Sequence, residues 1–307
     1  MSITQAQTVP LPRLSDDLAF LDVVTEWDTT VAANKMQPQL LVPATFRPLV
    51  LPRIIAVANQ KGGAGKTTTT VELAAALVAR GLTVRVIGAD PQRASLPEWL
   101  LPQYPEGLEP KKRMSLAHVF FRKCTLADAT YPTRYRGLWI VPGGSKLGRV
   151  ESENTLPGRE GAIGREIAVD RRFDVDIIDC GPTLGIITVS ALSAADDLIV
   201  PTQAGRFDML GVSDLHNSWT TVRDTVNPKL ELRAVVLNEW DRTKVMQATM
   251  HQIAKDYPHA VLAPLRRSVK VVEAVGEYQP TRVYAPRDNA SRDMDQFAGV
   301  MFAPKAA

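Results

Sequence analysis

Arg53-Ile54-Ile55-Ala56-Val57-Ala58-Asn59-Gln60-Lys61-Gly62-Gly63-Ala64-Gly65-Lys66-Thr67-Thr68 reads as an apolar strand, a glycine-rich turn and the opening of a helix in direct succession. That order of elements is the setting in which a backbone can cradle phosphate. Glycines let N–H groups approach phosphate oxygens, and the helix N-terminus adds partial positive charge at the same point. Lys66 is then expected to reach the β- and γ-phosphates of a nucleotide, and the Thr67 hydroxyl to hold Mg²⁺. The common pattern G-x-x-x-x-G-K-[ST] requires glycine at position 60, where this chain has Gln60 followed by Lys61.

Outward from this stretch, short β-branched runs alternate with helical patterns, the signature of a parallel sheet covered by helices. Expected strands are Ile54 to Ala58, Thr83 to Ile87, Leu138 to Val141, Val175 to Ile178, Leu198 to Pro201, Ala234 to Leu237 and Val261 to Ala263. Thr67 to Arg80 is expected to be a helix, with Val71, Ala74, Ala75 and Val78 at helical spacing and Gly81 as its stop. The fold class is therefore α/β, a mostly parallel twisted sheet with helices on both faces. Leu96 to Arg136, rich in proline, aromatic and basic residues, reads as a surface excursion between core strands. Residues 1–52, broken by Pro10, Pro12, Pro38, Pro43, Pro48 and Pro52, read as a tail ahead of one domain at 53–307. Within the tail, Leu14, Leu18, Leu21, Val24 and Trp27 recur at three- and four-residue steps with Ser15 as a possible cap, a short amphipathic helix that either docks on the body or binds a partner.

The 307 residues are 45% hydrophobic and 22% charged, enough apolar material for a sizeable core. No apolar run approaches the roughly 18 to 20 residues that span a bilayer, and the N-terminus lacks the basic-then-apolar layout of a secretory signal, so a cytoplasmic location is expected. Two cysteines, Cys124 and Cys180, and four histidines lack the spacing of a metal or redox site. A net charge of +3 permits an anionic partner without requiring one.

The string Lys61-Gly62-Gly63-Ala64-Gly65-Lys66-Thr67-Thr68 fits K-G-G-x-G-K-[ST], the deviant loop of the ParA/MinD family, which it resembles closely. Chance would produce that string at a given position about once in ten million. The resemblance implies ATP and Mg²⁺ as ligands and a dimer in which Lys61 reaches the nucleotide of the other subunit. Asp90-Pro91-Gln92-Arg93-Ala94-Ser95 looks like the family's first nucleotide-sensing switch, D-P-Q-G-N-A-S/T; Gly88 stands where many relatives carry Asp, and Arg93 where they carry Gly. Asp90 is expected to orient the attacking water or a magnesium-bound water. Asp174-Val175-Asp176-Ile177-Ile178-Asp179-Cys180-Gly181-Pro182 resembles the Walker B strand I-I-D-C-P-P, with Gly181 replacing the first proline. Asp179 is expected to bind Mg²⁺ through water, since a buried strand-end carboxylate is costly without a cation. The likeness runs from about Arg53 to Phe302. Near its end, Asn238 falls where related ATPases place a side chain on the adenine edge, although a turn-forming Asn reads equally from the sequence.

The resemblance, closest to ParA (Soj-like) DNA-partitioning ATPases, implies slow, partner-stimulated hydrolysis of ATP to ADP and phosphate, non-specific DNA binding by the ATP-bound dimer, and release on hydrolysis under a ParB-like adaptor. Such a protein segregates plasmid or chromosomal DNA and is nucleoid-associated. Leu265-Arg266-Arg267-Ser268-Val269-Lys270 resembles the segment P-R-N-V-R, so Arg266, Arg267 and Lys270 are expected to contact DNA phosphates, with Arg287 and Arg292 substituting for a basic position that falls at Asn289. A solvated charged face is the plain alternative. A ParA-like ATPase that positions a protein assembly on the nucleoid is the rival function. A MinD-like membrane switch fits less well, because Phe297 to Ala307 makes a poor basic amphipathic anchor.

Overall fold

The computed structural model describes residues 39–91, 95–153, 157–203, 216 and 219–302. The expected helix at 14–27 and the switch residues Gln92, Arg93 and Ala94 lie outside the described residues. Among the described residues eight strands form one sheet: β1 (Arg53–Val57), β2 (Val84–Ala89), β3 (Tyr131–Pro132), β4 (Leu138–Val141), β5 (Val175–Cys180), β6 (Asp197–Thr202), β7 (Glu231–Trp240) and β8 (Val261–Arg266). Their spatial order is β3-β4-β2-β5-β1-β6-β7-β8, and every neighbouring pair is parallel except β3 with β4. Strands buried on both faces read as continuous apolar runs, which is why β1, β5 and β6 were legible. Ile55 and Val57 enter one core; Ala56 and Ala58 enter the other.

Helix α1 (Lys66–Ala79) packs in the first core with Leu73 and Leu77, joined by α2 (Ser95–Leu100) and α10 (Asn289–Met301). On the opposite face lie α3 (Leu116–Phe120), α4 (Gly148–Ser152), α5 (Ala162–Val169) and α6 (Ile186–Ala194). Helix α7 (Lys244–Asp256) follows β7, and α8 (Val269–Gly276) and α9 (Thr281–Tyr284) connect β8 to α10. No helix among the described residues is long and apolar enough to cross a membrane.

Two expectations change. Residues 96–136 are not a surface excursion: Leu96, Trp99, Leu100, Leu116, Val119, Phe120, Leu126 and Tyr131 are buried. The exposed Lys111 and Lys112 and the intervening prolines masked an apolar set that fills both cores and adds the edge strand β3. Residues 39–52, assigned to the tail, also pack on the body. Leu41 exchanges backbone hydrogen bonds with Leu262 of β8, at 3.0 and 2.9 Å, and Leu40 and Leu49 are buried in the first core.

At the amino edge of the sheet, ion pairs hold the strands in register. Asp197 at the start of β6 takes Arg53 at 2.7 Å and Arg233 at 2.8 Å, and buried Arg85 takes Asp170 at 2.7 Å and Asp176 at 2.6 Å. The carboxyl edge carries a different set of polar groups.

Candidate functional site

The turn from Asn59 to Gly65 leaves β1 at the carboxyl edge. Gly63 and Gly65 have φ of +77° and +88°, a region that side-chain-bearing residues rarely adopt. Gly65 is the N-cap of α1, no side chain caps the helix, and no acid lies in its first turn. A helix start with no capping side chain and no acid is a setting that an anionic ligand can use. Asn59, 1% exposed, pins the loop: its Nδ2 donates to the Pro201 carbonyl at 2.8 Å, and its Oδ1 accepts from the Lys61 N–H at 2.9 Å. The buried Lys66 side chain folds back along the loop, its Nζ donating to the Lys61 carbonyl at 2.9 Å.

Asp179 lies on β5 in register with Val57 of β1 and Gly88 of β2, which sets it between the loop and the end of β2. The Thr67 hydroxyl donates to its Oδ2 at 2.8 Å and the Thr70 hydroxyl to its Oδ1 at 3.4 Å. Burial pushes the Asp179 carboxyl up to about 7; the Thr67 hydrogen bond and Lys66 pull the other way, while the neighbouring Asp90 charge adds to the rise. A carboxylate so far displaced lacks compensating charge, which a divalent cation against Asp179 and Thr67 would supply. Among the described residues no group of three or more His, Cys, Asp or Glu is poised to hold a metal. Mg²⁺ does not need one, because it commonly rests on one or two carboxylates, waters and substrate phosphates. The residues present therefore fit it.

Two of the three departures from the expected motifs, Gly88 and Gly181, have a steric reason. A Cβ on Gly88 would stand 2.9 Å from the Gly143 backbone nitrogen, so this position admits no side chain as packed. A Cβ on Gly181 would stand 3.0 Å from Pro91 Cδ and 3.2 Å from Asp90 Oδ1. Glycine at 181 gives Asp90-Pro91 its room against the end of β5. Cys180 is buried, and burial pushes its thiol well above the usual range.

Asn238 lies within β7, not after it. A register irregularity between Leu237 and Trp240, with Glu239 at φ +55°, marks a local bulge there. Its Nδ2 donates to the Ala64 carbonyl at 2.9 Å and to the Thr69 hydroxyl at 3.3 Å. A Cβ on Gly65 would meet that Nδ2 at 2.4 Å, so Gly65 is required by space as well as by φ. Sequence reasoning missed Asn59 and Glu151. The former is a polar residue directly after an apolar strand, which was a usable signal. Glu151 of α4 accepts from the N–H groups of Ile186 and Ile187 at 3.2 and 3.4 Å, capping α6 just beyond β5 from 35 residues away in the chain, and nothing local announced it.

Thus Lys61 to Thr68, Asp90, Asp179 and Asn238 converge on the carboxyl edge. The expected DNA residues divide. Arg266 ends β8 and is bound by the buried Asp293, its Nε at 2.9 Å and its N–H group at 2.9 Å from Oδ2. Lys270 pairs with Glu273 at 2.7 Å on the surface of α8. Arg267, Arg287 and Arg292 are exposed. Arg282, another cation of this stretch, is buried against Asp295.

A family model described as an AAA domain matches residues 52–232. The chain is 34% identical over 244 residues to the chromosome partitioning protein ParA of Caulobacter vibrioides, covering 76% of this chain and 87% of that protein. Identity with the sporulation initiation inhibitor protein Soj of Bacillus subtilis is 30% over 247 residues, covering 78% of this chain and 94% of Soj. The solved cobyrinic acid a,c-diamide synthase of Mycobacterium smegmatis, with bound ATP analog and magnesium, is similar at a TM-score of 0.64 and 31% identity over 80% of this chain and 92% of that one.

Proposed function

The chain belongs to the ParA/MinD family of P-loop ATPases, and from that premise we propose that it is a partitioning ATPase whose bound ATP joins two copies and whose hydrolysis parts them. The observation that carries this reading is the loop from Lys61 to Thr68 at the uncapped start of α1, with Thr67 hydrogen-bonded to Asp179. In the joined state Lys61 of each copy contacts the nucleotide of the other. Lys66 and the loop amides neutralise the β- and γ-phosphates, and Asp90 orients the attacking water. Mg²⁺, when bound, adds charge neutralisation at the phosphates, held by Thr67 and Asp179. Asn238 offers its Oδ1 to the adenine amine while its Nδ2 stays on Ala64. Hydrolysis is slow until a ParB-like adaptor stimulates it.

In the same reading Arg267, Lys270, Arg287 and Arg292 grip DNA phosphates without reading sequence, so the ATP-bound pair coats nucleoid DNA in the cytoplasm and leaves it after hydrolysis. Binding to a random-sequence duplex, measured with ATP, ADP and no nucleotide at several salt concentrations, tests it. ATP is expected to give the tight, salt-sensitive state. Equal binding in all three nucleotide states would end the switch reading.

A further inference from the structure

Helix α8 carries an apolar stripe open to solvent. Val269, Val272 and Val275, three residues apart, are 69%, 74% and 40% exposed, and Tyr278 beyond the helix is 50% exposed, while Ala274 on the inner side is fully buried. A single exposed valine is ordinary, but three on one short helix beside a tyrosine form an unpartnered face. Charged groups flank it along the chain with a small excess of positive charge: exposed Arg267 precedes the helix, Lys270 and Glu273 within it pair with each other, exposed Glu277 follows it, and exposed Arg287 and Arg292 lie further on with Asp288 between them.

One stretch of this chain has the complementary character. Residues 14–28 hold Asp16, Asp17, Asp22, Glu26 and Asp28 and no Lys or Arg, interleaved with Leu14, Leu18, Leu21, Val24 and Trp27. The path of the chain leads it to α8. Leu41 pairs antiparallel with Leu262 on the edge strand β8. Traced backwards from Leu41, the chain therefore runs toward the Arg266 end of β8, where Arg267 and α8 begin. From residue 39 back to residue 28 an extended chain reaches roughly 35–40 Å. From Leu262 to Arg266 the strand rises only about 13 Å. The tail has ample length.

We infer that residues 14–28 dock on α8 of the same chain as an acidic amphipathic helix, its apolar side on the Val269–Val272–Val275 stripe and its carboxylates toward Arg267, Arg287 and Arg292. A helix of about 15 residues is marginal alone in water, so docking and helix formation occur together, aided by an intramolecular effective concentration in the millimolar range. The docked tail occupies the cations proposed to hold DNA, and DNA phosphates must displace it. The docking itself stands on charge, apolar pattern and chain path; only this last consequence rests on the proposed DNA binding.

Hydrogen exchange of residues 269–276 in the full-length chain tests it, against full-length Leu18→Ser/Leu21→Ser, which leaves net charge unchanged, and full-length Val269→Ser/Val272→Ser, which alters only exposed positions. The unmodified chain should exchange about threefold or more slowly across α8 than the Leu18→Ser/Leu21→Ser chain, at any protein concentration, and lose that protection at high salt. Equal exchange in the two chains, or protection that grows with protein concentration because a second copy covers α8, overturns the inference. In parallel, Leu18→Ser/Leu21→Ser should bind random duplex about threefold or more tightly at low salt. If exchange changes while no chain binds duplex, docking stands and the DNA reading falls; if duplex binding tightens while exchange is unchanged, docking is wrong. The Val269→Ser/Val272→Ser chain should make α8 exchange insensitive to the tail substitutions, and continued sensitivity would place the tail elsewhere.

Discussion

The loop between β1 and α1 and the segment from β8 to α10 share one edge of the sheet, yet they are built by opposite means. Around the loop the polar groups are withdrawn from water and individually bonded: Asn59, Lys66, Asp179 and Asn238 are all buried, each against a named partner at 2.8 to 2.9 Å. Along the second segment Arg267, Arg287 and Arg292 stand in solvent, and so do Val269 and Val272. A group that must meet one phosphate in one geometry needs rigid support, because electrostatic preorganisation fails when donors drift. A surface suited to a uniform polyanion needs only charge at the right density. The two regions are tied through Glu72 of α1, whose carboxylate accepts from the Thr281 N–H at 2.8 Å and the Thr281 hydroxyl at 2.7 Å at the start of α9.

The largest effect should come from breaking the loop. Lys66→Ala removes the cation aimed along the loop and its bond to the Lys61 carbonyl. Charge-assisted contacts to phosphate are worth about 1.5–3 kcal/mol each, so ATP affinity should fall at least about a hundredfold by calorimetry. Nucleotide-independent association with duplex at low salt should be unchanged. A parallel loss of that association would show that the two regions are not separable.

That contrast also governs how much could be read in advance. The loop, Asp90 and Asp179 were legible because glycine spacing and strand-end acids are local in sequence, and the strands because burial on both faces leaves continuous apolar runs. Residues 96–136 misled because their buried Leu and Phe are separated by prolines and lysines rather than set at one period. Asn238 was placed after β7 and lies within it, since the bulge at Leu237 to Trp240 has no signal in the sequence. Arg266 and Arg267 are neighbours of the same type, and only Asp293, 27 residues away, distinguishes them. Long-range pairing of charges is invisible to composition.

The next effect probes the tie between the regions. Burial pushes Glu72 up to about 7, against the hydrogen bonds from Thr281. In the unfolded chain this carboxyl titrates near its usual value of about 4.3, so between the two values the folded state holds the proton more tightly. Stability should therefore fall as pH rises from about 4.5 to about 7 and level off above. At about 1.4 kcal/mol per pKa unit the fall amounts to roughly 4 kcal/mol. Glu72→Gln keeps an acceptor for Thr281 and removes its titration, so its denaturant midpoint should lose the Glu72 share of the slope across pH 5 to 7 and keep the share that Asp179, also pushed up to about 7, contributes. An identical slope in the variant would mean that another group carries the pH dependence.

The smallest effect separates two adjacent arginines. Arg266→Ala strands Asp293, a carboxylate only 3% exposed, without its guanidinium, and a buried charge left unpaired should cost on the order of 2–3 kcal/mol of stability. Arg267 is exposed, and its backbone N–H, which donates to the Trp240 carbonyl at 3.2 Å, survives truncation of the side chain. Arg267→Ala should therefore leave the urea midpoint unmoved. If Arg267 makes one phosphate contact, the slope of log affinity for duplex against log salt should become shallower by about 0.9. Urea melts and a salt titration of both variants give the two readouts independently. Arg267→Ala with an unchanged slope removes that residue from the DNA surface. Arg266→Ala with full stability would mean that the Asp293 pair is replaceable by water, and would return Arg266 to the group of side chains available to phosphate.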